Sequence, residues 1–471
     1  MNAKTILQFS MGPVGAAILS LITLPFVAWF FSVEDVGRLT MLQVILGLAV
    51  SLFSLAMHQA YVREYHEEED KSALLKLSII PGFVLLIFIS LFILVLPFSI
   101  SSILFGIDSN LITFLLFTGL FATFFINFLA HVIRMQERGL AFSATQIAPK
   151  IFLLILISLI MSLNWAAEFK TLMLMNTLSV VFSLFIFSWL TRDSWLISIT
   201  KSVDFVLLKQ MLLFSLPLVA GGLAYWGLTT MDRFFLRSLS GFNELGVYAL
   251  AVALAGVVSV LTSIFSSLWH PVLYKWTKEG IDENKVQRVI ENMILVVASF
   301  WSLAGLLSFI VPFFLPPQYL AIEYLIVACV SMPLFYLLSE TTGVGIGITR
   351  RTSFAMFASI VAFLINAILN YLLIPVYGSS GAALASMASF FMFFVIKTEA
   401  SAFLWRPFPR FKIYFILVFY MFATCVVVLA KAHISNFYIV WLILLLLTCG
   451  FFAKRLIESV NFFKIYFGKE N

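Results

Sequence analysis

Long apolar segments separated by short polar gaps run along the whole 471-residue chain. A helix needs about 20 apolar residues to cross the hydrocarbon core of a bilayer. A window of this length finds about fourteen such segments, with centres near Ser20, Val50, Phe88, Leu120, Leu153, Phe182, Gly222, Val257, Ser302, Cys329, Phe363, Phe390, Met421 and Leu444. The pattern predicts an all-α polytopic membrane protein with about 14 transmembrane helices. Fourteen crossings leave about 190 residues for loops and tails, so no separate soluble domain is expected.

The basic residues predict the orientation, because cytoplasmic loops of membrane proteins carry an excess of Lys and Arg. When the N-terminus is placed inside, 24 of the 29 basic residues fall on the same side of the membrane. This inside set includes Lys150 and Lys397, which are interpreted as loop residues. We therefore expect an even number of spans, with both termini cytoplasmic. The five basic residues on the other side are Arg38, Lys170, Arg233, Arg237 and Lys431.

The net charge of +6 is explained by this topology. A nucleic-acid surface would gather basic residues on one soluble face, so no nucleic-acid partner is expected. Cys329, Cys425 and Cys449 lie within apolar segments, without CxxC spacing or a neighbouring histidine cluster. They are expected to be buried thiols. No metal site, cofactor or catalytic residue is predicted.

The chain contains an internal repeat. Phe9–Pro13 matches Phe214–Pro217 at an offset of about 205, and Glu34–Leu39 matches Glu244–Ala249 at an offset of about 209. Both copies begin from the cytoplasm, which is typical of the parallel halves of secondary transporters. The repeat predicts two pseudo-symmetric six-helix lobes around a central cavity that work by alternating access. The predicted parts are an N-lobe at 1–195 (helices 1–6), a C-lobe at 196–405 (helices 7–12), and helices 13–14 with a cytoplasmic tail at 406–471.

Three segments carry a resemblance to a known family. Asn366–Ala383 is a helix ended near Pro375, a turn at Gly378, and small residues that open the next helix. Met231–Leu236 followed by Glu244–Ala251 forms a second segment, and the opening stretch around Asp35-Val36-Gly37 forms the third. These segments resemble the polysaccharide exporters of the multidrug/oligosaccharidyl-lipid/polysaccharide superfamily. The predicted number of fourteen helices is similar to that of its Wzx branch, the O-antigen flippases.

The resemblance implies a MATE-like fold and a lipid-linked oligosaccharide as substrate. Such a flippase would move undecaprenyl-diphosphate-linked O-antigen or related polysaccharide repeat units, for example those of lipopolysaccharide, from the cytoplasmic to the periplasmic leaflet of the bacterial inner membrane. Membrane lipid would contact the polyprenyl tail. Coupling to H⁺ or Na⁺ and contact with polysaccharide assembly enzymes are further implied partners, and the sequence leaves the coupling ion and the glycan open.

A diphosphate needs a cationic, hydrated path through a low-dielectric membrane. Asn127, His131 and Arg134 share one face of the fourth predicted helix and could form part of this path. The alternative is a helix end from which His131 and Arg134 extend to the cytoplasmic interface.

The second and eighth predicted helices present matching serine faces, with a histidine on each. His58 follows Ser54 in the first copy, and Ser263 precedes His270 in the second. Serine faces are also typical of close helix packing, so both a cavity lining and a packing face are consistent with the sequence.

Asp232, Arg233 and Arg237 lie near the outer end of the seventh predicted helix. If this helix continues facing inward beyond Thr230, they are central substrate or coupling groups. If it ends at Thr230, they are interface anchors.

The remaining candidates lie in the second half of the chain. Glu340 and Asp232 are candidates for ion coupling, and a solvated cap or a pair with Arg350 is the alternative for Glu340. Asn366 and Asn370, one turn apart, are expected to hydrogen-bond to a neighbouring helix, with substrate contact as a second role.

Two other functions remain open at the level of sequence. A drug or cation antiporter of the same superfamily would favour an acidic cavity, whereas the intramembrane charges here are mainly basic. A membrane enzyme, such as a polysaccharide polymerase or glycosyltransferase, would be expected to present acid or base groups in a large outer loop. The predicted outer loops are short, so a transporter is favoured over an enzyme.

Overall fold

The computed structural model describes residues 3–280, 283–430 and 437–453. Every regular element within these ranges is a helix, and no strand occurs there. Thirteen of the described helices are long and apolar enough to cross a membrane, and Phe242–Ala255 and Tyr438–Phe451 are shorter apolar helices. The prediction of an all-α polytopic membrane protein is confirmed.

The helices fall into two compact units that divide between Ala253 and Leu254. The first unit contains α1 (Ala3–Phe30), α2 (Val33–Phe53), α3 (Met57–Glu64), α4 (Lys71–Val95), α5 (Ile100–Phe105), α6 (Asn110–Met135), α7 (Gly139–Ser162), α8 (Phe169–Leu190), α9 (Arg192–Thr200), α10 (Phe205–Leu239) and most of α11 (Phe242–Ala255). Within this unit α1 packs mainly on α7, and α6 packs on α8.

The second unit contains the helices that follow α11. These are α12 (Val257–Glu279), α13 (Glu283–Leu306), α14 (Val311–Phe314), α15 (Ile322–Thr342), α16 (Val344–Ile348), α17 (Ser353–Tyr377), α18 (Ser379–Leu404), α19 (Phe411–Ala430) and α20 (Tyr438–Phe451). Here α18 packs against both α15 and α17. In sequence, α12 contains the candidate span Val257–Thr277 at the predicted eighth crossing, and the shorter apolar helix α20 falls at the predicted fourteenth.

Several helices begin at a side chain that caps their free amides. The Asp70 carboxylate accepts hydrogen bonds from the backbone N–H groups of Ser72 and Ala73 at 3.1 and 3.0 Å, and Asp204 caps α10 in the same way. Asp70 also pairs with Lys201 at 2.7 Å, and this pair holds the pKa of the Asp70 carboxyl below its usual value. The polar gaps in the sequence therefore fix where the membrane helices begin.

The second predicted crossing is broken close to its C-terminal end. Helix α2 ends at Phe53, and Leu55 and Ala56 adopt φ angles of 49° and 53° before α3 begins. Residues with a Cβ rarely adopt this left-handed conformation, so the break stores backbone strain. Gly82 of α4 leaves space for it, because a Cβ there would lie 2.0 Å from the carbonyl oxygen of Phe53. Ser54 and His58 therefore do not share a continuous helical face, and that prediction is wrong.

A glycine from each copy of the predicted repeat meets the other copy, backbone to backbone. A Cβ on Gly37 of α2 would lie 2.1 Å from the carbonyl oxygen of Phe242, and a Cβ on Gly246 of α11 would lie 2.2 Å from that of Val33. Both positions require glycine because any side chain would collide with backbone atoms that cannot move aside. The start of α2 is thus held directly against α11.

Lys150 lies in the middle of a membrane helix, and the prediction that it is a loop residue is wrong. It is the twelfth residue of the 24-residue α7, about 17 Å from the first residue at 1.5 Å per residue. Its ammonium donates to the carbonyl oxygen of Ala16 at 2.7 Å and to the hydroxyl of Ser20. These contacts join α7 to α1. They give the Lys150 ammonium hydrogen-bond acceptors that lipid would not provide.

Candidate functional site

A cavity of about 330 Å³ opens in the first unit among α1, α2, α10 and α11. Its apolar wall includes Leu24, Val44 and Val252, and Gly47 widens it beside Trp226. The polar lining residues are Thr40, Gln43, Thr230 and Arg233. The cavity therefore offers several neutral hydrogen-bonding groups and the positive charge of an arginine on a helix that is long and apolar enough to span a membrane.

Arg233 owes its position in the cavity to the length of α10. The helix continues through Thr230 to Leu239 without interruption, so the alternative in which it ends at Thr230 is wrong. One guanidinium nitrogen, Nη1, donates to the carbonyl oxygen of Thr229 at 3.1 Å. No carboxylate among the described residues pairs with this guanidinium, although Asp232 is its neighbour in the chain.

Asp232 points away from the cavity that Arg233 lines. The carboxyl group is buried, with only 2% of the residue exposed, and it accepts a hydrogen bond from the hydroxyl of Tyr248 on α11. Its other oxygen accepts from the Arg233 backbone N–H at 2.9 Å. These bonds turn the carboxylate toward α11 and leave the positive charge of Arg233 available to a ligand.

Arg237 lies one turn beyond Arg233, and its environment is different. Its guanidinium donates to the carbonyl oxygen of Ile103 and lies 5.7 Å from the centre of the Phe242 ring. These contacts fix the end of α10 to neighbouring segments. The structure thus separates two arginines that the sequence grouped together, placing Arg233 at the cavity and Arg237 in a structural contact.

The structure brings His58 and His131 together from α3 and α6. Their ring centres are 4.8 Å apart, and both residues are half-buried. His131 Nδ1 lies 2.8 Å from the carbonyl oxygen of Asn127, whose side-chain Nδ2 is buried without a partner among the described residues. Arg134, also on α6, is exposed, and its guanidinium lies 6.0 Å from the centre of the Phe142 ring. The exposed Arg134 side chain therefore lies outside the contact between His58 and His131.

The asparagines predicted from the family motif form a chain of hydrogen bonds in the second unit. Asn370 Nδ2 donates to Asn366 Oδ1 at 2.8 Å, and Asn366 Nδ2 donates to Ser386 Oγ on α18 at 3.3 Å. Both asparagines are fully buried.

Ser263 is exposed, with its hydroxyl bonded to the carbonyl oxygen of Ser259 in its own helix. The side chain of His270 lies outside the described residues.

Glu340 pairs with Lys397, and this corrects the predicted places of both residues. Glu340 Oε1 and Lys397 Nζ are 2.7 Å apart, and the two side chains are 15% and 12% exposed. Lys397 lies inside α18 rather than in a loop, and its ammonium also lies 5.1 Å from the centre of the Phe393 ring. The pair joins α15 to α18, where the sequence had offered Arg350 as the partner of Glu340.

We expect Glu340→Ala to lower stability by about 3 kcal/mol, because it leaves the Lys397 ammonium in a largely buried site without its carboxylate. Thermal unfolding of the purified protein, followed by tryptophan fluorescence, measures this loss. The double variant Glu340→Gln/Lys397→Met removes both charges and should recover most of it. A double variant that is stable but transports nothing would instead assign Glu340 or Lys397 a role in ion coupling.

Sequence reasoning missed the neutral lining of the cavity. Gln43, Thr40 and Trp226 come together only because α2 and α10 pack side by side, and each residue is unremarkable in its own segment. Lys150 had a detectable signal, since it lies only three residues before the centre of the fifth apolar window. Measuring the distance in sequence from each charged residue to the nearest window centre would have assigned Lys150 to a helix.

The chain matches a protein-family model in sequence and superposes on solved membrane transporters in structure. A family model described as "Polysaccharide biosynthesis protein" matches residues 3–276. The structure of "Lipid II flippase MurJ, inward closed conformation" superposes with a TM-score of 0.67 at 14% identity, covering 98% of this chain and 100% of that chain. No curated protein sequence matches the chain.

A second group of similar structures consists of multidrug transporters. An inward-facing "multidrug resistance MATE family transporter of the MOP superfamily" gives a TM-score of 0.56 at 16% identity and covers 84% of this chain and 94% of that chain. An outward-facing structure with the same description gives 0.55 at 14% identity, with coverage of 85% and 95%. At these identities the likeness establishes the fold.

Proposed function

Because the chain belongs to the polysaccharide biosynthesis protein family of the MOP superfamily, we propose that it is a flippase for undecaprenyl-diphosphate-linked oligosaccharide. It moves an O-antigen or related polysaccharide repeat unit from the cytoplasmic to the periplasmic leaflet of the bacterial inner membrane, with both termini cytoplasmic. The observation that carries this proposal is the guanidinium of Arg233, which lines a cavity without a carboxylate partner among the described residues and lies on a helix long and apolar enough to span a membrane.

The chemistry of the cavity suits a diphosphate. An uncompensated charge within a membrane span costs about 2.5–3.5 kcal/mol on insertion scales, so its retention points to a ligand that neutralises it. Arg is the side chain best matched to phosphate, because its planar fork donates two parallel hydrogen bonds. The side-chain amide of Gln43 would supply a further donor to the remaining phosphate oxygens. The hydroxyls of Thr40 and Thr230 would join it by turning away from the carbonyl oxygen of Val36 and from the hydroxyl of Thr229.

Translocation would follow alternating access, with the diphosphate and glycan in the aqueous path and the polyprenyl tail in lipid. A proton or sodium gradient would reset the protein, and polysaccharide assembly enzymes would supply and receive the substrate. The similar MATE structures raise the alternative of multidrug export. Cationic drugs would be repelled by Arg233, so the charge of the cavity favours the anionic lipid.

The test is a leaflet assay with the purified protein in vesicles that contain undecaprenyl-diphosphate oligosaccharide. An impermeant probe that reacts with the glycan measures its appearance on the opposite side, and protein-free vesicles give the background. We expect protein-dependent exposure of unmodified substrate. Competition by lipophilic cations, with no effect of an isoprenyl diphosphate, would establish drug transport instead, and a lengthened glycan would establish a polymerase.

A further inference from the structure

We propose that His58 and His131 form a proton-binding site whose occupation opens the first unit at the break between α2 and α3. The proposal concerns a property of this chain that the transport of an anionic lipid does not require. It rests on the proposed function only for the transport readout described below. Its basis is the meeting of two imidazoles, three unpartnered polar groups and a strained backbone at one place in the first unit.

The two imidazoles can hold one proton between them but not two. Their centres are 4.8 Å apart, and two positive rings at this distance in a partly buried site repel each other strongly. The carbonyl oxygen of Asn127 only accepts, so His131 Nδ1 carries the hydrogen of their 2.8 Å contact. In the neutral ring, His131 Nε2 therefore keeps a lone pair that can bind the proton.

No carboxylate among the described residues contacts either imidazole, so an added proton would lack a counter-charge. Arg134, three residues beyond His131 on α6, is also positive and adds to the repulsion at His131. The neighbouring charges are engaged elsewhere. Arg63 of α3 lies near Glu64 and the Phe214 ring of α10, and Lys76 of α4 binds the carbonyl oxygens of Ile199 and Lys201.

The site also lacks hydrogen bonds that water would provide. Ser54 Oγ, His58 Nδ1 and Asn127 Nδ2 are buried, and none has a partner among the described residues. A buried polar group without a hydrogen bond destabilises the closed state. Entry of water would satisfy all three and would hydrate an imidazolium at the same time, so protonation and opening favour each other.

The backbone next to the pair is the part of the unit best able to open. Leu55 and Ala56 hold left-handed conformations at the break, and His58 is the second residue of the helix that follows. Release of this strain would offset part of the cost of parting α3 from α6. Proton binding by imidazole nitrogen, with water as the proton source and return of the proton to water on closing, completes a balanced cycle.

An imidazole that opening exposes to water titrates near its ordinary value of about 6.5. Opening therefore becomes more favourable as the pH falls below that value. We therefore expect flipping to quicken about 5- to 10-fold when the cytoplasm-facing solution is taken from about pH 7.5 to about pH 5.5. The variants His58→Gln and His131→Gln should each lose this dependence while still flipping. His66→Gln is the matched control, since His66 is exposed and lies outside the pair.

A second readout needs no transport. Exchange of the imidazole C2 hydrogen in heavy water, followed by mass spectrometry across a pH series, reports the titration of each histidine, with His66 as the internal reference. We expect His58 and His131 to exchange more slowly than His66, and His131→Gln to shift the titration midpoint of His58. Independent titration of the two, or an unchanged pH dependence of flipping in both variants, overturns the proton site while leaving the flippase intact. Coupled titration in a protein that flips no lipid-linked oligosaccharide would overturn the proposed function alone.

Discussion

Arg233→Ala is expected to lower the rate of flipping about 10- to 100-fold at limiting substrate. The substitution removes the proposed hydrogen bonds between the guanidinium and the diphosphate. Charge-assisted bonds of this kind are worth about 1.5–3 kcal/mol, and each 1.4 kcal/mol corresponds to a factor of about ten. Arg233→Lys should retain part of the rate, because it keeps the charge and loses the bidentate geometry. The leaflet assay at several substrate densities measures both variants.

Arg237→Ala is the matched control for Arg233→Ala. It removes the same group from the same helix one turn away, where the guanidinium binds the carbonyl oxygen of Ile103. We expect lower thermal stability and an unchanged dependence on substrate density. Inhibition by an isoprenyl diphosphate should persist in Arg237→Ala and weaken in Arg233→Ala. Equal inhibition of both variants would show that Arg233 does not contact the diphosphate.

Gly246→Val should abolish the contact between α11 and the start of α2. A Cβ at this position would lie 2.2 Å from the carbonyl oxygen of Val33, and two further methyl groups would add to the collision. Overpacking of this kind costs about 1–3 kcal/mol or more, and here it acts against a rigid backbone. We expect a fall of several degrees in the unfolding temperature, measured by tryptophan fluorescence, and loss of flipping.

Gly222→Ala tests whether the effect of Gly246→Val is specific. Gly222 lies inside α10, and a Cβ there has no neighbour within 4 Å. The change should be neutral or slightly stabilising, because alanine favours helix more than glycine does. Gly37→Val, on the other side of the contact, should reproduce the loss seen with Gly246→Val. A wild-type unfolding temperature in both valine variants would contradict the close contact.

The fold could be predicted from the sequence because lipid imposes a simple rule. Each backbone polar group in the bilayer must be bonded internally, so every long apolar segment must be a helix. The same rule gave no information on the interruption at Leu55 and Ala56, since neither residue is a glycine or a proline. The break depends on Gly82, which is distant in sequence and adjacent in space.

The candidate site was predicted only in part. Arg233 could be selected as a candidate because a charge in an apolar segment is unusual, and the structure then gives Arg233 and Arg237 different surroundings on the continuous α10. The partners of a charge were not predictable from local sequence. Glu340 meets Lys397 through the packing of two helices. The Asp232 carboxylate accepts a hydrogen bond from Tyr248 of the following helix.

The contact between Lys150 and α1 has a consequence for biosynthesis. Ala16 precedes Lys150 by 134 residues, so α1 is made about 7–27 s earlier at ordinary translation rates. The acceptor groups on α1 are therefore already in the membrane when α7 leaves the translocon with a lysine at its centre. We therefore expect α1 to supply hydrogen-bond acceptors to Lys150 as the fifth crossing inserts, and a ribosome-bound chain that lacked α1 would release α7 into the bilayer with an unsatisfied charge.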